Sequence, residues 1–168
     1  MAVDTSVIGK PTGSWKVTIE RSPISNFAGA VTDTNPVFFD RTAAQAAGFD
    51  DVPATPTFTI GLPYWAGYQH EIQPDDPTSG AGSPLMGVIG GLMSKGGLIL
   101  HGEQEFQYFK PIVVGDTLIG EGSITDIYEK DSEKALMTFV VSETRWTDAN
   151  TGEPVLTERF NLIHRFTK

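Results

Sequence analysis

Leu156-Thr157-Glu158-Arg159-Phe160-Asn161-Leu162-Ile163-His164-Arg165-Phe166 decides the fold class. Its large apolar side chains, Leu156, Phe160, Leu162 and Phe166, fall at even intervals, the period of a strand with one face buried. Asp148-Ala149-Asn150-Thr151-Gly152, just upstream, reads as a turn. The same period of two holds over about 98–109, 117–129, 134–147 and 155–167. Four long strands in succession, with no helix between them, predict an antiparallel sheet. Such a sheet needs a cover on one face. The most apolar helical pattern lies at residues 55–69, with Phe58, Leu62, Trp65 and Gln69 on one side. The expectation is an α+β layer architecture built on one central, largely buried helix, with the whole chain, 1–168, a single domain.

The front half carries helix punctuation. A short first strand is expected at 14–20. Ser22-Pro23 pairs an N-cap with a first-position proline, and Ile24, Phe27 and Val31 follow at helical spacing. Thr42 is expected to cap a short helix over 43–47, stopped by Gly48. Thr55-Pro56 repeats the cap-plus-proline signature, and Pro63 within that helix predicts a kink. Residues 73–97, rich in Pro, Gly and Ser, read as a long excursion with a helical turn at 85–93.

Composition narrows the function. With 39% hydrophobic and 20% charged residues over 168 positions, the chain is long enough to bury a core. A formal charge of −9 argues against nucleic acid, whose phosphates demand a basic face. No Lys or Arg occurs between positions 42 and 94, so a phosphate-bearing ligand must find its cations elsewhere or on a partner. There are no cysteines, which excludes disulfides and thiolate metal sites, and His70, His101 and His164 lack metal-ligand spacing. No apolar run approaches the roughly 18 residues of a membrane span. The first residues lack the basic and apolar regions of a secretory signal, so the expected compartment is the cytoplasm.

Three segments in order resemble the MaoC-like dehydratases, also known as enoyl-thioester hydratases. Asp33-Thr34-Asn35-Pro36-Val37-Phe38 is similar to their hydratase motif, Asp-x-Asn-Pro-(Val/Ile)-His. Ala54-Thr55-Pro56-Thr57-Phe58 is similar to the start of their central helix, and His101 to Asp116 to the strand and Pro-containing turn that follow. The resemblance spans about Gly9 to Phe166 and implies a hot-dog fold, a long antiparallel sheet wrapped around one helix. It is nearest to the N-terminal-type domain of substrate-binding subunits in actinobacterial hydroxyacyl-thioester dehydratases and steroid side-chain hydratases.

The departure is at position 38. Asp33, Asn35 and Pro36 match, but Phe38 stands where the family carries the histidine that, with the aspartate, activates water. Phenylalanine neither titrates nor orients water. The resemblance therefore implies a hydro-lyase subunit that shapes the acyl pocket for an acyl-CoA or acyl-carrier thioester and needs no cofactor or metal. A second MaoC-type chain would supply Asp and His, in a homo- or hetero-oligomer serving fatty acid or steroid metabolism. Asp33 and Asn35 are the motif-equivalent catalytic positions, although both are also ordinary turn formers. His101 is a weak catalytic candidate at a strand start. Thr55, Pro56 and Thr57, at the helix start, with Tyr64 and Tyr68 on the helix, are candidates for substrate binding. Phe58 and Trp65 read as core, and Glu103 and Glu105 as solvent-facing. Gly90-Gly91 and Gly96-Gly97 fit no phosphate-loop spacing and read as a lid or cleft wall. A non-catalytic binding or assembly module is the alternative. A thioesterase is less favoured, since residues 56–70 offer no carboxylate.

Overall fold

In the computed structural model, residues 3–69 and 83–168 are described. The back half is four strands, β2 (Leu98–Tyr108), β3 (Thr117–Asp131), β4 (Ala135–Asp148) and β5 (Pro154–Thr167), joined in one antiparallel sheet with β1 (Pro11–Thr18). The order across the sheet is β1-β3-β4-β5-β2, which leaves β1 and β2 as edges. The strands lie within a few residues of the expected spans. β1 begins three residues early because Pro11, which lacks an N–H, is tolerated at the start of an edge strand.

The inner face of β5 carries Leu156, Glu158, Phe160, Leu162 and His164 on one parity. Leu156 and Leu162 are buried, whereas Phe166, near the strand end, is 39% exposed. Glu158 and His164 break the apolar alternation and are nevertheless buried. Two apolar clusters divide this face. One gathers Trp146, Leu156, Leu118 and Val17 beneath Phe58 and Leu62; the other gathers Ile124, Val140 and Leu162 beneath Leu92. Trp146 is fully buried and lies flat over β3, where a Cβ on Gly120 would sit 2.5 Å from its ring.

Helices α1 (Arg21–Ala30), α2 (Arg41–Ala46), α3 (Leu62–Gln69) and α4 (Pro84–Met93) cover the sheet. Their starts differ from the expected caps. In α1 the N-cap is Glu20, so Ser22 and Pro23 lie inside the first turn, where a missing N–H costs nothing. In α2 the cap is Asp40, whose carboxylate accepts the Ala43 N–H at 2.8 Å; it outcompetes Thr42, a weaker capping acceptor. The 55–69 segment is not one helix. Residues Phe58–Gly61 form a 3-10 turn and α3 starts at Leu62, which places Pro63 in a first turn rather than mid-helix. The proline thus produces a break. α3 is also less buried than expected: Leu62 and Ala66 face the core, but Tyr64 is 74% exposed.

The glycine-rich excursion contains a full ten-residue helix, α4, capped by the Ser83 hydroxyl accepting from the Met86 N–H at 3.3 Å. Its C-terminal turn is tied down where the buried His164 Nε2–H donates to the Gly96 carbonyl at 2.6 Å. Gly97 follows at φ +95°, and a Cβ there would meet the Arg165 carbonyl at 2.5 Å. Among the described residues no helix is long and apolar enough to cross a membrane.

Candidate active-site cleft

An open, mostly apolar cleft of about 480 Å³ lies between the hydratase-like motif, the loop leading to the 3-10 turn, and the end of β2. Asn35, Phe38, Pro56, Tyr108 and Lys110 are among its lining residues. Two backbone pairings fix its floor: the Ala54 N–H donates to Ile112 at 2.8 Å, and the Val114 N–H to Val52 at 3.0 Å.

The motif wall is set by short-range bonds. Thr32 turns the chain with φ +60°. The Asp33 carboxylate accepts the Asn35 N–H at 2.9 Å, and the Asn35 side chain accepts the Val37 N–H at 3.2 Å, capping the 3-10 turn Pro36–Phe38. The turn is anchored to α1, where the Ser25 hydroxyl donates to the Phe38 carbonyl at 2.9 Å and the Arg21 guanidinium to that of Phe39. Asn35 and Phe38 therefore reach the cleft, while Asp33 sits one turn back from its lining. Both polar side chains of the motif serve the backbone, and of the two only Asn35 also lines the cleft.

On the opposite wall, the Tyr108 hydroxyl donates to the Pro56 carbonyl at 2.5 Å and lies 3.1 Å from the Thr59 hydroxyl. Burial pushes the phenol above its ordinary range, with the Thr59 contact pulling partly back. Lys110 Nζ bonds Asp148 at 2.7 Å. That bond raises the Lys110 ammonium, and together with the Asn150 and Thr151 N–H groups it holds the Asp148 carboxyl down to about 2.

The other sequence candidates are dispersed. Pro56 lines the cleft and Thr57, beside it, is exposed. Thr55 is buried, and its hydroxyl has no hydrogen-bond partner among the described residues. The Thr55 carbonyl, rather than its side chain, accepts the Phe58 N–H, so the expected side-chain cap is absent. Tyr64 points away from the cleft lining on the exposed side of α3. The Tyr68 side chain and His70 lie outside the described residues. His101 is exposed on β2 with its ring 4.7 Å from that of Phe160, and is not in the cleft. Phe58 and Trp65 stack at 6.4 Å in the core cluster. Glu103 and Glu105 are exposed, and Glu105 faces Arg159 at 3.9 Å. The glycines of α4 belong to a packed helix rather than to this cleft's wall.

Neither Tyr108 nor Lys110 is among the site residues the sequence points to, although both stand in the Phe106-Gln107-Tyr108-Phe109-Lys110-Pro111 run. Read as a fold signature, that run also carries two residues of the cleft.

The sequence matches the family described as FAS1-like, dehydratase domain region, over residues 6–158. A UPF0336 protein of Saccharopolyspora erythraea is 33% identical over 170 residues, covering 99% of this chain and 94% of the relative. Among solved structures, the HadBC (3R-hydroxyacyl-ACP dehydratase) complex of Mycobacterium tuberculosis superposes with a TM-score of 0.65 at 21% identity, covering 95% of this chain and 98% of that one. A MaoC-like dehydratase gives 0.68 at 21% identity, covering 95% of this chain and 42% of that one. The chain belongs to the FAS1-like dehydratase-domain family, and its fold is the MaoC-like hot-dog domain.

Proposed function

We propose that this chain is one subunit of an enoyl-CoA hydratase, or (R)-3-hydroxyacyl-thioester dehydratase, and that it shapes the acyl-thioester pocket while a second MaoC-type chain supplies the catalytic Asp and His. The observation that carries the reading is the chemistry of the cleft lining. Its titratable members are Tyr108 and Lys110, and both are pushed away from neutrality. Phe38 occupies the position at which the family's histidine would exchange a proton. Adding water across an enoyl thioester needs a group that moves a proton near neutral pH. The apolar walls suit an acyl chain, and Asn35 can orient a polar atom without titrating. Similarity to a chain of the HadBC complex supports a paired assembly. The reaction needs no cofactor, and we assign the pair to the cytoplasm.

The test is reconstitution. The purified chain alone should hydrate crotonyl-CoA or longer enoyl thioesters no faster than buffer, and mixing it with a chain bearing an intact Asp-x-Asn-Pro-x-His motif should restore turnover. In that pair, Asp33→Ala should leave the rate within about tenfold, or about 1.4 kcal/mol of barrier. Replacing the other chain's Asp or His should cost about 10²–10⁴-fold. Robust hydration by the isolated wild-type chain, lost in Asp33→Ala, would overturn the reading. A non-catalytic assembly module is the second reading, favoured by the same lack of a proton-transfer pair; it predicts no gain in turnover on mixing. A thioesterase is disfavoured by the absence of a carboxylate across residues 56–70.

A further inference from the structure

Between the two apolar clusters, the inner face of the sheet turns polar. Thr144 on β4 stands opposite Glu158 on β5, and Phe106 on β2 stands opposite it on the other side. Glu158 is only 7% exposed, and one of its carboxyl oxygens accepts the Gln104 Nε2–H at 2.7 Å. The other half of the Gln104 amide, Oε1, is buried with no donor among the described residues. The Trp146 indole N–H lies close enough to the carboxyl to favour its charged form, short of full hydrogen-bond geometry. A buried acceptor without a donor is costly, and the carboxyl that accepts from this amide can itself carry a proton.

We infer that Glu158 and Gln104 form an acid–amide latch that holds the edge strand β2, and with it Tyr108, against the cleft. Gln104 and Tyr108 share the inward parity of β2, four residues apart, and β5 is the strand to which β2 is paired. Tyr108 in turn holds the Pro56 carbonyl in the cleft wall. Glu158 is thus a positioning residue that acts through β2. Its inner-face neighbours are Gln104, Phe106 and Tyr108 on β2, Thr144 and Trp146 on β4, and Leu156 and Phe160 on β5; of these Tyr108 alone titrates. Burial pushes the Glu158 carboxyl up to about 7, the Trp146 N–H pulling partly back. Ionisation removes the acid proton and leaves a buried charge beside Phe106, a cost that the Gln104 and Trp146 N–H groups only partly offset, so the latch weakens as pH rises to about 7.

The latch relies on the proposed function only for the cleft being a substrate site, and its test reads the full chain alone. Carbon-13 glutamate labelling should show the Glu158 carboxyl titrating near 7. Hydrogen exchange at the β2 amides of residues 103–108, corrected for intrinsic rates, should be compared between wild type and Glu158→Gln, which mimics the neutral acid. The wild type should lose protection relative to the variant by about tenfold per pH unit between pH 5 and 7, then level off. A carboxyl titrating in the ordinary range, or the same pH dependence in both proteins, would overturn the latch. Should Glu158→Gln not fold, the wild-type titration still decides. Failure of the latch leaves the reconstitution assay untouched, and the converse holds.

Discussion

The two ends of the sheet's inner face are covered in different ways. Over Leu162 and Val140 the cover is one continuous helix, α4, capped by a serine and tied at its far end by His164. Over Trp146 and Leu156 the cover is made of short pieces: α1, α2, a 3-10 turn and the eight-residue α3. The cleft opens at the second end. Short pieces held by side-chain-to-backbone bonds leave this mouth among themselves, whereas the open space beside α4, about 550 Å³, lies between that helix and the N-terminal residues Val3, Val7 and Lys10.

Breaking the Trp146 end should have the largest effect. Trp146→Ala should cost about 3–5 kcal/mol of folding free energy, read by urea denaturation. A loss below about 1 kcal/mol would show that this end is not a core at all. Leu162→Ala, at the α4 end, should cost somewhat less, about 2–4 kcal/mol. The two sites are about 20 Å apart along the strands, so the double mutant should be additive within about 0.5 kcal/mol. Clear non-additivity would mean that the two ends form one cooperative core.

Finer effects sharpen the account of the pieced cover. Asp40→Ala should cost about 1 kcal/mol through loss of the α2 cap, while Thr42→Ala should change stability by only a few tenths, in the same denaturation assay. Equal losses would return the cap to Thr42. The smallest effect concerns Lys110 and Asp148. The Asp148 carboxyl is held down to about 2 in the folded chain, below its unfolded value near 3.9. The bond's stabilisation is therefore complete above about pH 4 and is lost as pH falls towards 2. Because both groups meet solvent, the shift should be slight. Melting temperatures of wild type and Lys110→Met should differ at pH 6 and converge towards pH 2; a constant gap would exclude the linkage.

The strands were legible because a sheet buried on one face imposes a period of two that few other structures produce. Helix starts were less so. Each depended on a competition that residue type alone does not decide: Asp40 against Thr42 for one cap, or a proline whose cost vanishes when the helix begins one residue before it. The α4 span, expected over 85–93, is met within one residue by Pro84–Met93, although Gly87, Gly90 and Gly91 lower helix propensity, because packing on Ile124 and Leu162 overrides it. The motif wall, Asn35 and Phe38, could be found from the spacing of six residues. Tyr108 and Glu158 could not, because their roles arise from partners 52 and 54 positions away in the chain.

One edge of this sheet has consequences for how the protein must be produced. β2 is eleven residues long and, among the described residues, is paired on one side only, with Leu98 and Leu100 exposed along it. Such a row of unsatisfied backbone groups is a template for any other extended chain. At high concentration an uncovered β2 can pair with the same strand of another copy or with any extended segment, so the yield of usable protein falls with concentration unless something covers that edge.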